Sequence, residues 1–100
     1  MNEDLLREKL KEMVIKACDV KNVTVSDINN DEPLINGPGA LPLDSLDALE
    51  IVSKINEHFG IKVENASTAR SIFGSFTALS KFLYKKADPK LTQKFLSTTF

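Results

Sequence analysis

Ser45, His58 and Cys18 are the side chains best suited by type to covalent chemistry, and Asp44 and Asp47 stand beside the serine. A serine, a histidine and a carboxylate are the parts of an activated nucleophile. Their spacing rejects that use. Thirteen residues on one helix separate Ser45 from His58 by about 20 Å along the axis, at about 100° per residue. A nucleophile and its base must approach within about 3 Å. His58 is the only histidine and falls with Asp47 and Lys54 on a solvated helix face. Cys18 follows Val14 by four positions and reads as a small, inert core residue. A single cysteine excludes an internal disulfide and a multi-cysteine metal site. The expectation is a protein that is not an enzyme and holds no metal.

Ser45 keeps one chemical opportunity without a base. It opens a helix just after Pro33, Gly37, Pro38, Gly39 and Pro42. Backbone N–H groups and the dipole at a helix start favour an attached phosphate. Serine is also common in the first turn of any helix, so position alone leaves an unmodified residue open.

The elements that must place Ser45 are helices. Leu6, Leu10, Met13, Val14, Ala17 and Cys18 recur at spacings of three and four and predict a helix over 4–18. Arg7, Glu8, Lys9, Lys11, Glu12 and Lys16 fill its polar positions. Residues 19–44 read as a long connection with one short helical turn near Ser26-Asp27-Ile28, pinned by Val23, Val25, Ile28, Leu34, Ile35, Leu41 and Leu43. The second helix spans 45–59, with Asp44 as N-cap, Asp47 in the first turn and Gly60 as its stop. Ala48, Ile51, Val52, Ile55 and Phe59 form its apolar stripe. Asp47, Glu50, Lys54 and Glu57 form a charged stripe, with Glu50 and Lys54 at a pairing distance of four. A short helical piece covers 66–73, and Ser75 caps a helix over 76–86. Asp88-Pro89 restarts a short helix to about residue 97, with Leu91, Phe95 and Leu96 on its apolar side. No period-2 alternation supports a sheet, so the chain reads as all-α.

Composition agrees with one folded domain. The chain has 100 residues, 42% hydrophobic and 27% charged, which is ordinary for a globular protein and too apolar for a disordered one. No apolar run exceeds three residues, and a membrane span needs about 20. Glu3 and Asp4 precede any apolar stretch, the reverse of a secretory leader, so the expected location is cytoplasmic. The net charge of −1 argues against a general nucleic-acid binder. It hides a division: residues 1–64 hold 13 acids against 7 bases, and residues 65–100 hold 6 bases against 1 acid.

The string Asp44-Ser45-Leu46-Asp47-Ala48-Leu49-Glu50-Ile51-Val52 resembles the serine segment of acyl carrier proteins. The likeness continues through Ile55, Phe59, Gly60, Ile61 and Val63, and more weakly to Leu79, Phe82 and Leu83. It covers roughly residues 4–84, so a carrier domain is expected over 1–84, with residues 85–100 as a basic C-terminal extension holding a short helix over 89–97. The implied fold is a four-helix bundle with a long first loop, a short third helix and an extra C-terminal helix.

The resemblance also implies a function. Ser45 would carry 4′-phosphopantetheine, transferred from coenzyme A with Mg²⁺ by a holo-carrier synthase (a phosphopantetheinyl transferase). The thiol of that arm would hold acyl intermediates as thioesters for fatty-acid, lipid or related biosynthesis. Acyltransferases, ketosynthases or acyl-activating enzymes would be the partners of a monomeric carrier. Asp44, Asp47, Glu50 and Glu57 match the acidic docking positions of the family, and Leu46 and Leu49 its apolar contacts. Pro42 stands where the family usually has glycine, Ser53 takes a position often apolar, and Lys54, Asn56 and His58 dilute the acidic helix. With the lysine-rich tail, these departures imply a specialised member. Other cargoes, namely peptidyl, aryl or polyketide groups, ride on similar domains. An unmodified helical interaction module is the rival from another class, and a small DNA-binding helical domain would need a more basic face.

Overall fold

A computed structural model describes residues 2–35 and 43–100. The glycine- and proline-rich stretch that contains Pro42 and Leu41 lies outside the described residues. Among the described residues five α-helices follow one another: α1 (Asn2–Ala17), α2 (Ser45–Phe59), α3 (Ala66–Ile72), α4 (Phe76–Lys86) and α5 (Pro89–Leu96). One 3₁₀ turn, Val25–Asp27, interrupts the first connection. No strand occurs among the described residues. The all-helical architecture agrees with the bundle that the resemblance implied.

Local chemistry sets the helix ends. Asn65 Oδ1 accepts from the Thr68 N–H at 2.7 Å, Ser75 Oγ from Ala78 at 3.0 Å, and Asp88 Oδ1 from Lys90 at 2.8 Å. Pro89, with no N–H to leave unpaired, takes the first position of α5. Gly60 ends α2 at φ 67°, a left-handed conformation that glycine adopts without strain.

The apolar stripes meet in one core. Leu6, Leu10, Met13 and Val14 of α1 are buried with Ile51, Ile55 and Phe59 of α2, Ile72 of α3, and Phe76, Leu79 and Leu83 of α4. Ile28, Leu34 and Leu43 bring the connection onto the same core, while Ala17 and Cys18 are only half-buried. α1 packs chiefly on α4, and α5 packs on both α1 and α2.

Lys11 departs from its expected solvated position. It is 3% exposed, and its Nζ donates to the Ile28 carbonyl at 3.0 Å and to Asn30 Oδ1. Thr77 holds the same loop from α4, its N–H donating to the Asn30 carbonyl at 3.1 Å. A cation hidden from water needs such partners, and here they rivet the first loop between α1 and α4.

His58 also departs from expectation. Its ring is half-buried, with centroid distances of 5.2 Å to Phe95 and 5.7 Å to Phe100, edge to face. α5 folds back over the end of α2 and supplies Phe95, and the chain beyond α5 supplies Phe100. The expected Glu50–Lys54 pair gives way to Lys54 with Glu57, at 3.3 Å.

Candidate functional site

The site is built around the start of α2. Leu43 is buried, which fixes the chain just before the helix. Asp44 follows in an extended conformation, and its Oδ1 accepts from the N–H groups of Leu46 at 3.0 Å and Asp47 at 3.2 Å. Asp47 Oδ2 accepts from the Asp44 N–H at 3.0 Å, closing a reciprocal capping box. A cap of this kind is worth about 1 kcal/mol. Asp44 and Asp47 therefore have a structural task, whatever partner they also meet.

Ser45 is the first residue of α2 and is exposed. Its hydroxyl makes no hydrogen bond among the described residues. Helical phase then sorts the neighbouring side chains onto three sides. Leu46, Leu49, Glu50 and Glu57 point outward together, with Leu46 75% and Leu49 68% exposed. Two large apolar side chains therefore stand exposed beside acidic ones on one helix face. Asp47 is half-buried on the side toward α1, where its carbonyl accepts from Cys18 Sγ at 4.0 Å. Glu57 lies two turns further along and is partly neutralised by Lys54, with His58 Nε2 at 3.7 Å. Sequence spacing thus brings Asp44, Leu46, Asp47, Leu49 and Glu50 around Ser45 and leaves Glu57 remote and paired.

On the third side, Ser45 and Ala48 face α3 across an open cavity of about 330 Å³, lined also by Ile35, Ala69, Arg70 and Phe73. Ala48 and Ala69 leave the space because they are small. Ile35 and Phe73 give it apolar walls, and Arg70 adds an exposed guanidinium that makes no ion pair among the described residues. An anionic phosphodiester with an extended organic arm fits that mixture of cation and apolar wall. The sequence reading did not reach Ala69, Arg70 or Phe73 as site residues. The one available signal was an arginine on the short helix that follows the serine helix.

The other reactive groups are out of play. His58 sits at the far end of α2 in its aromatic cluster, and no group of three metal-ligating side chains occurs among the described residues. Burial first, then the nearby Asp47 and Glu50 carboxylates, push the Cys18 thiol from its ordinary 9.0 up to about 11. Two pH units remove about 99% of the thiolate, and the higher intrinsic nucleophilicity of a more basic thiolate recovers about tenfold of that loss. Alkylation of Cys18 by iodoacetamide at neutral pH is expected to run about tenfold slower than that of an unhindered cysteine peptide. Equal rates, followed by mass spectrometry, would contradict this placement.

Residues 8–67 match the family model described as phosphopantetheine attachment site. No curated protein and no solved structure matched the chain. The family match spans more than half of the chain and includes the capped start of α2, and domains of this kind are generally carriers rather than catalysts. The helical bundle and the family match together make this chain a member of the phosphopantetheine attachment-site family, whose prosthetic group is a covalently attached 4′-phosphopantetheine.

Proposed function

We propose that Ser45 carries the 4′-phosphopantetheine and that the protein delivers acyl intermediates to partner enzymes of fatty-acid, lipid or related biosynthesis. The observation that carries this reading is the placement of Ser45: exposed, first in a capped helix, and on the rim of the cavity that holds Arg70. When attached, the group supplies a thiol that bears the acyl chain as a thioester. The chain's own residues bind and position. The Ser45 oxygen forms the new phosphodiester bond at the β-phosphorus of coenzyme A, the phosphoanhydride breaks, adenosine 3′,5′-bisphosphate leaves, and the hydroxyl proton passes to a base on the transferase or to water. A phosphopantetheinyl transferase with Mg²⁺ performs that step, and the carrier itself catalyses no reaction.

Arg70 lies where it can face the phosphodiester, and Ile35 and Phe73 where they can cover the arm. Asp44, Leu46, Asp47, Leu49, Glu50 and Glu57 form the docking surface for the transferase and for acyltransferases, ketosynthases or acyl-activating enzymes. Docking through exposed acids is fast, weak and sensitive to salt. The carrier works as a cytoplasmic monomer without nucleic acid. Residues 1–84 form the carrier domain and residues 85–100 its extension, which supports a specialised member of the family.

The test is an intact mass before and after incubation with a broad-specificity transferase, coenzyme A and Mg²⁺. The expected result is a gain of one phosphopantetheine. No gain with several transferases would favour the unmodified interaction module.

A further inference from the structure

Among the described residues, the ion pairs lie within the first 58 residues. Glu3 and Asp4 hold Arg7 at 3.5 and 2.9 Å, Glu8 meets Lys11 at 3.9 Å, and Glu12 meets Lys9 at 3.9 Å. By contrast, Lys81, Lys85 and Lys86 of α4 and Lys90 and Lys94 of α5 are all exposed and make no ion pair among the described residues. Asp88, the one acid of the last 36 residues, is engaged in capping α5. The elbow between α4 and α5 therefore presents five ammonium groups against one carboxylate, an excess of positive charge.

The same elbow contains a groove of about 260 Å³, lined by Tyr84, Pro89, Thr92 and Gln93. Tyr84 is 48% exposed, while Leu83 and Phe95 are buried and Phe82, Leu91 and Leu96 half-buried. At about 100° per residue, Lys81 and Lys85 fall on one side of Tyr84 on α4, and Lys90 and Lys94 fall on one side of Gln93 on α5. A groove with Tyr84 and Pro89 in its wall, on two helices that carry five exposed lysines, complements a negatively charged segment with one protruding apolar side chain.

We propose that the α4–α5 elbow is a second docking surface, whose partner is an acidic protein segment that lays one apolar side chain into the groove beside Tyr84. A lipid surface fits less well. It is flat where the groove is concave, and the apolar side chains of α5 turn inward rather than outward to insert. A second copy of this chain would dock its acidic α2 here head to tail, a heterologous contact that yields rings or filaments. The surface is separate from Ser45, so this proposal stands or falls independently of the attachment site.

The test is an NMR titration of the ¹⁵N-labelled full chain with a synthetic peptide of aspartate and glutamate that contains one phenylalanine. Saturable shifts confined to residues 81–97 are expected. A matched peptide with serine for phenylalanine binds about fivefold more weakly, and Tyr84→Ala erases that difference. Reversal of Lys81, Lys85, Lys90 and Lys94 to Glu weakens binding about tenfold, and Gln at the same four positions weakens it less. Raising salt from about 0.1 M to about 1 M shortens the screening length from ~10 Å to ~3 Å and weakens binding in parallel.

Shifts on α1–α3 instead, or unchanged binding in both lysine variants, overturn the proposal. Stronger retention on phosphatidylglycerol vesicles than by the peptide overturns it in favour of a membrane. Concentration-dependent shifts on both α2 and the elbow, without any peptide, overturn it in favour of self-association.

Discussion

Ser45→Ala takes up no phosphopantetheine from coenzyme A under conditions that load the wild-type chain, while its far-UV spectrum and thermal midpoint stay with those of the wild type. The two halves of this result have separate physical causes. Loading is lost completely because the oxygen that forms the phosphodiester bond is gone, and no neighbour can replace it. Leu46 and Asp44 offer no hydroxyl, and Ser53 lies more than two turns away along α2. Stability is kept because Ser45 is exposed and because Asp44, not Ser45, caps the helix. Surface substitutions of this type stay within about 0.5 kcal/mol. Loading at undiminished yield in the variant would move the attachment to another serine. A large loss of helicity would mean that Ser45 belongs to the core.

Phe95→Ala is expected to unfold α5 and to lower the thermal midpoint by more than ten degrees. Phe95 is 1% exposed, and its ring centroid lies 4.7 Å from that of Phe59, 5.2 Å from His58 and 5.4 Å from Phe100. Truncation removes the centre of that cluster and leaves a cavity, at a cost of about 3–5 kcal/mol. A domain of this size loses about 4–8 °C per kcal/mol. α5 has 8 residues, and isolated helices below about 12 are marginal in water, so it depends on the docking of Phe95. Hydrogen exchange across 89–97 should approach the rate of an unfolded segment, and the 2.7 Å bond from Lys9 Nζ to the Thr98 carbonyl should be lost. A midpoint shift below about 4 °C would show that α5 lies outside the cooperative core.

Much of the bundle was legible because its signals are local. Asp44 and Asp47, Ser75, Asp88-Pro89 and Gly60 announce helix ends through bonds made within three or four residues, and the structure places them there. The long apolar stripes of α1, α2 and α4 show their periodicity for the same reason. What stayed hidden depends on partners distant in sequence. Lys11 looks like any helical lysine until Ile28 and Asn30 fold over it. His58 looks solvated until α5 brings Phe95 and Phe100 onto its ring. Lys54 had two carboxylates within one turn, Glu50 and Glu57, and spacing alone does not choose between them. The cavity beside Ser45 needs α3 in place, so the sequence offered only the presence of Arg70 on a short helix and nothing of the cavity that it lines with Phe73.

Acids crowd the Ser45 end of α2, and α5 with its lysines packs against the opposite end through Phe59 and His58. The fold thereby turns a chain of nearly zero net charge into an electric dipole, with its poles about 20 Å apart along α2. A charged partner exerts a torque on such a molecule before the two surfaces touch. A partner with a positive face would meet this molecule already rotated, Ser45 end first, and the angular part of the search would be shortened. Electrostatic steering of this type raises encounter rates by about 10–10³. Moving the lysines of α5 elsewhere, with every contact around Ser45 intact, would slow that approach without weakening the complex once formed.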